Sequence, residues 1–264
     1  MQEKSTDDGL IQAVWQVARF EAARTFTFGR IAIWLALIAL PTVLIATTQL
    51  QSRGQIPETG LLMTAYVLVV QVGCMMGLVL WATPAVGGEV ESQTWVYIAM
   101  RPWGRVAVVL GKYIVAVGWT LSASIPSAIG VSLLIGSQGL VTLVWMVALV
   151  FLSTVAYAAL YMLIGVVFSR RATVFSVIYS LIVEGAVSGI PAAICEITVS
   201  YRLRSLLVEW SGNSELQATA QQIYGSVSPP IHIAVILAYS ALLLSIATVV
   251  VHVKEYAIEA NNAV

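Results

Sequence analysis

Gly88-Glu89-Val90-Glu91-Ser92-Gln93-Thr94-Trp95 runs on through Arg101-Pro102-Trp103-Gly104-Arg105 to Gly111-Lys112 as a polar block between two long apolar segments. What flanks the block decides the fold. The chain of 264 residues is 59% hydrophobic and 10% charged, with a mean hydropathy of +0.90. A soluble domain carries about 25% charged residues. A chain this apolar needs lipid as its solvent. Net charge is zero, and nothing in the charge pattern points to a nucleic-acid partner. Cys74 and Cys195 lie in or beside apolar runs and read as small packed residues, not as a disulfide or metal pair. The polar opening, Met1 to Gly9, does not read as a secretory signal.

A helix needs about 20 apolar residues to cross a hydrocarbon core of ~30 Å. Six segments meet that length: Ile31–Thr48, Leu61–Pro84, Val106–Ile135, Leu140–Phe168, Thr173–Ile194 and Ile231–Val253. They are too long for barrel strands, and none alternates. Backbone groups in lipid must bond within their own segment, so helices follow. The expected fold is an all-α membrane protein with six transmembrane helices. Residues 1–30 form a tail and interfacial helix, and 31–264 form a single membrane domain. No internal repeat of the kind seen in secondary transporters is evident.

Basic residues orient the spans. Lys4, Arg19, Arg24, Arg30, Arg101, Arg105, Lys112, Arg170, Arg171 and Lys254 fall on one side, and Arg53, Arg202 and Arg204 on the other. The positive-inside rule then predicts that both termini and the polar block are cytoplasmic. Leu10, Val14, Val17 and Ala18 share one face of a helix over Leu10–Thr27, and Gln12, Gln16 and Arg19 share another. That is the pattern of a helix in the cytoplasmic interface. On the opposite side, residues 195–230 carry Tyr201, Leu203, Leu206, Leu207 and Trp210. They are too apolar for a free linker, and a short external helix at the membrane surface is expected before Pro229-Pro230 opens the last span.

Gly88-Glu89, Glu91, Gln93-Thr94, Arg101-Pro102, Arg105 and Gly111-Lys112, in that order and spacing, resemble the permease subunits of ABC-2 type ABC transporters. Many members have Gly where this chain has Gln93. The resemblance implies a cytoplasmic coupling loop at 85–105 that docks on a separate ATP-hydrolysing subunit. It also implies a dimer with a second permease copy or a paralogue, export, and the cytoplasmic (inner) membrane of a prokaryote. The polypeptide itself then needs no cofactor, because ATP and magnesium are bound by the partner. Consistent with this, no phosphate-binding loop occurs: Gly111-Lys112 is followed by Tyr113, where a Ser or Thr would hold magnesium. The chain is therefore not expected to be an enzyme.

The residues of the block fit such a loop on physical grounds. Pro84 and Gly87-Gly88 are expected to end the second span. Ser92 through Met100 can form a short helix with an apolar aspect from Trp95, Val96 and Ile98. Arg101-Pro102 stops it, since the residue before proline avoids helix. The expected ATPase-coupling residues are Glu89, Glu91, Thr94, Trp95, Tyr97, Arg101 and Arg105. Glu89 and Glu91 would pair with basic groups of the partner, or else act as solvated carboxylates at a helix start. Trp95 and Tyr97 would anchor the contact. Arg105 also suits a headgroup-level cation. Arg170-Arg171 is a second candidate contact, or a plain topology determinant.

Glu184 is the only acidic residue near the middle of a span. An intramembrane carboxylate usually faces a cavity or a partner. It could line a translocation path or an interface, as in an ion-driven carrier or channel, or it could hydrogen-bond Tyr179 or Ser188 as a structural group. Ser188, in Gly185-Ala186-Val187-Ser188-Gly189, together with His232 superficially suggests an intramembrane protease. The spacing is off by one residue, and a small-residue packing surface explains the run better. Gly73, Gly77, Gly118 and Ser122 likewise read as packing faces, His232 and His252 as interfacial residues, and membrane lipid and an external protein bound at 195–230 as further partners.

Overall fold

The computed structural model describes residues 3–52, 57–92, 94–101, 103–135, 139–186, 198–211 and 228–254. Among them the secondary structure is helical throughout. The N-terminal helix α1 is Glu3–Thr25, and α2, Phe28–Ser52, is the first span. The second span is built in pieces. α3 (Glu58–Tyr66) leads into a π-helical turn at Val67–Gly73, then α4 (Cys74–Trp81), then α5 (Pro84–Glu91) after a two-residue turn. A short helix, α6 (Trp95–Ala99), precedes the long α7 (Gly104–Ile135) and α8 (Gly139–Val167). α9 (Ala172–Tyr179) continues as a second π-helical turn, Ser180–Ala186. α10 (Val199–Ser211) and the last span, α11 (Pro229–Val253), complete the described chain.

Among the described residues, five helices are long and apolar enough to cross a membrane: Phe28–Gln51, Thr59–Glu91, Gly104–Ile135, Val141–Val167 and Pro229–Val253. The sixth expected span is present as a shorter apolar helix, Ala172–Ala186, and its expected remainder, 187–194, lies outside the described residues. The protein is an all-α, multi-pass membrane protein. α8 is the axis of the bundle: α7, α10, α11 and the second span pack around it, and Met146, Leu149, Tyr157, Tyr161 and Met162 are fully enclosed. α2 is the peripheral helix. Only 11% of its apolar window is buried, against 61% for α8, and it leans chiefly on α7.

Two expectations about boundaries change. Pro84 does not end the second span. It occupies the first turn of α5, where its missing N–H is harmless, and the helix runs on to Glu91. The helix expected from Ser92 to Met100 is confined to Trp95–Ala99, because Ser92 belongs to the end of α5. The short helix expected after residue 195, before the last span, is α10. It packs against α8 and α11 with Leu203, Leu206 and Leu207 buried. Val199, Leu203, Leu206 and Leu207 recur at helical spacing, and that stripe is the face buried within the bundle.

The apolar face of α1 behaves in the same way. Ala18 is buried, Val14 and Val17 are half-buried, and the face packs on α7. At Gly111 a β-carbon would lie 2.9 Å from Val17 Cγ1 and 3.0 Å from the Val14 carbonyl oxygen, so the glycine of the Gly-Lys pair is where α1 closes on α7. Gly77 meets Thr120 closely, as a packing glycine should, whereas Gly118 faces open space and Ser122 accepts a hydrogen bond from Trp34 Nε1 at 2.9 Å. His232, in the first turn of α11, is buried against Tyr201 and Arg202, while His252 is exposed. Cys74 is a buried free thiol, and Cys195 and Ser188 fall outside the described residues.

Candidate functional site

The polar block folds as an elbow on a buried ion pair. Lys112 enters α7 two turns after its start, on the face turned toward α1 and α5. Its ammonium donates to Glu89 Oε1 at 2.6 Å and to the Ala85 carbonyl at 2.8 Å, and stands 3.5 Å from Glu21 Oε2. Three protons thus have three acceptors. Glu89 is equally committed. Thr94 Oγ1 donates to Glu89 Oε2, and Arg24 approaches Oε1 at 3.7 Å. The Thr94 N–H bonds the Glu89 carbonyl at 3.1 Å, which folds the chain back over the end of α5. Ser92 Oγ bonds the Gly88 carbonyl at 2.7 Å and the Thr94 hydroxyl at 2.9 Å. The Glu, Ser and Thr of the motif therefore serve one another.

This overturns part of the expected site. Glu89 is buried and paired within its own chain, so it is not a group that meets a basic partner. Trp95 is also turned inward, 5% exposed, and packs with Val86, Val108 and Val109. A side chain this enclosed belongs to the elbow's core and offers little surface to another protein. What the elbow presents outward is Tyr97 at 74% exposure, Met100 at 78%, and the exposed Glu91, Thr94, Arg101 and Trp103. The turn is tight. Trp103 has a φ of 63°, in the left-handed region that a bulky residue rarely adopts. The Gly104 N–H bonds the Arg101 carbonyl at 3.0 Å, and a β-carbon on Gly104 would strike the Ile98 carbonyl at 2.1 Å.

Arg105 is neither free nor simply at headgroup level. Its Nη1 donates to the His252 carbonyl at 2.8 Å, in the last turn of α11. Lys254 reaches the carbonyls of Val166 and Val167 at the end of α8. The turn with exposed Arg170 and Arg171 adjoins the elbow, since a β-carbon on Gly87 would sit 2.2 Å from the Ser169 carbonyl. Arg105, Lys254 and the Arg170–Arg171 turn therefore lie at one end of the bundle.

Glu184 marks a second polar centre, away from the elbow. Its carboxylate is fully buried in the π-helical turn after α9. Tyr157 and Tyr179 hydroxyls donate to it at 2.8 and 3.2 Å, and the Val199 and Ser200 N–H groups at 3.3 and 3.0 Å. It caps the N-terminus of α10, where a carboxylate satisfies orphan donors and meets the favourable end of the helix dipole. Tyr179 is thus a partner as expected. Gln71, in the other π-helical turn, donates to the Glu184 carbonyl at 3.2 Å and faces Arg204 at 3.4 Å.

Lys112, Glu21, Arg24, Tyr157 and Ser200 were not among the expected site residues. Lys112 carried a usable signal: a lysine at the head of an apolar run needs a carboxylate within reach. The capping role of Glu184 carried none, because Val199 and Ser200 take part through their backbones. Among the described residues, no group of three or more His, Cys, Asp or Glu side chains could hold a metal ion. No protein-family model matches the sequence, and no curated protein matches it.

Proposed function

We propose that this protein is the permease subunit of an ATP-driven ABC-2 type transporter, paired with a second copy or a paralogue, in a prokaryotic cytoplasmic membrane with both termini cytoplasmic. The observation that supports this reading is the exposed face of the elbow. Tyr97 of the short helix and Met100, Arg101 and Trp103 of the turn after it are exposed, next to the loop braced on the Glu89–Lys112 pair. Exposed large apolar side chains beside a cation, beyond the spans, suit a groove on a soluble protein. Glu91 and the adjoining Arg170–Arg171 turn extend the same surface. In this mechanism the ATPase binds ATP and closes, pushes on the elbow, and the buried pair passes that displacement to α7 and α1 together. The direction is export, and the path runs between the two protomers.

A carrier or channel built on Glu184 is less well supported. Its carboxylate already accepts from two tyrosines and two backbone N–H groups, which makes it a structural cap. The test is affinity purification of the full chain from its native membrane in mild detergent. A stoichiometric ATPase is expected to copurify, and Tyr97→Ala with Met100→Ser is expected to release it while leaving the chain folded. Purification without any ATPase, together with cation flux by the chain alone in vesicles, would overturn the reading.

A further inference from the structure

Two cavities meet under the bend between α1 and α2. The first, about 100 Å³, is polar and collects Glu21, Arg24, Arg30, Glu89 and Lys112. The second, about 530 Å³, is an open groove walled by apolar groups, including Phe26, Ile31, Trp34 and Trp119. Val115 lines both. Neighbouring residues divide between them: Glu21 and Ala22, Thr25 and Phe26, Arg30 and Ile31. Trp81 of the polar cavity stacks on Trp119 of the groove at 6.1 Å. They form one recess, polar at the elbow end and apolar along the flank between α2 and α7. From Lys112 to Ser122 it follows α7 for roughly 15 Å at ~1.5 Å per residue. That is about half of a ~30 Å hydrocarbon core, the depth of one leaflet.

The charges in the polar part are three cations against two carboxylates. Lys112 is saturated by Glu89, Glu21 and the Ala85 carbonyl. Arg24 meets Glu89 only at 3.7 Å, with a side chain 56% exposed. Arg30 is half-buried and forms no ion pair or hydrogen bond among the described residues. The surplus is positive and is carried by two guanidinium groups, whose planar forks match phosphate oxygens.

We propose that this recess binds one anionic phospholipid from the leaflet on the α1 side. Its phosphate lies against Arg24 and Arg30, and one acyl chain lies in the groove beside Gly118. The apolar half selects a lipid over free phosphate, and the positive surplus selects an anionic headgroup over a zwitterionic one. The site requires only that the protein be embedded in a membrane, so it stands apart from the ATPase reading.

The test uses the full chain, delipidated in a neutral detergent. Phosphatidylglycerol is expected to raise the melting temperature by ~5 °C near saturation. Phosphatidylcholine and inorganic phosphate are expected to do far less, and native mass spectrometry should show one retained phosphatidylglycerol. Arg30→Gln and Gly118→Leu should each abolish the phosphatidylglycerol-specific shift and the adduct. Both should melt like the parent without lipid, because a β-carbon on Gly118 meets nothing within 4 Å. Overturning results are a shift retained in either variant, phosphatidylcholine matching phosphatidylglycerol, or inorganic phosphate alone reproducing the effect.

Discussion

Glu89 and Glu184 are both buried carboxylates in an apolar protein, and they are held by opposite means. Glu89 sits against a full cation, Lys112, with Arg24 and Thr94 around it. Glu184 accepts from neutral donors, among them two tyrosine hydroxyls and two backbone N–H groups of α10. The first arrangement ties three helices, α1, α5 and α7, chiefly through charged side chains. The second fixes a helix end through its peptide groups. A buried ion pair fails badly when one charge is removed, because the other is stranded. A cap fails by leaving individual donors unsatisfied, at about 1–3 kcal/mol each.

That contrast can be broken at several points. Lys112→Met strands Glu89 and Glu21 and should cost about 3–5 kcal/mol in detergent unfolding. Adding Glu89→Gln in the same chain should recover most of the loss, and a double variant as unstable as the single would show that the two do not act as a pair. Glu184→Gln keeps an acceptor but turns an amide NH₂ toward one of the α10 donors, and should cost about 1–3 kcal/mol. Hydrogen exchange should then quicken at residues 199–203 and leave the elbow unchanged. Arg105→Gln removes a charged donor from the His252 carbonyl and should cost about 1 kcal/mol, read as faster exchange in the last turn of α11. Tyr97→Ala, on an exposed side chain, should alter stability by less than about 0.5 kcal/mol. Its effect should appear only in retention of a partner protein.

The spans were legible because lipid imposes a length and a composition, and both can be read residue by residue. Val106–Ile135 against the observed Gly104–Ile135 shows how closely. The ends are less legible where a helix continues as a new one, as at Pro84, since a proline there serves equally as a stop or as a first turn. Within the candidate site, sequence order exposed the motif but not its internal wiring. Glu89 and Lys112 are 23 positions apart, and only the packing of α5 on α7 makes them partners. Trp95 was misread for a related reason. An aromatic residue in a short polar loop can face either way, and the apolar pocket of Val86, Val108 and Val109 exists only after folding. The start of α10 rests on Glu184 meeting backbone groups, which no residue type announces.

The Arg105 and Lys254 contacts carry one more consequence. Arg105 belongs to the first turn of α7 and grips a carbonyl at the end of α11, while Lys254, just past α11, grips the end of α8. A one-turn slip of α11 along its neighbours, ~5.4 Å, would break both grips at once. The last span is therefore keyed axially to the root of the elbow. Any displacement of the first turn of α7 would therefore be felt at the end of α11 through the Arg105 contact.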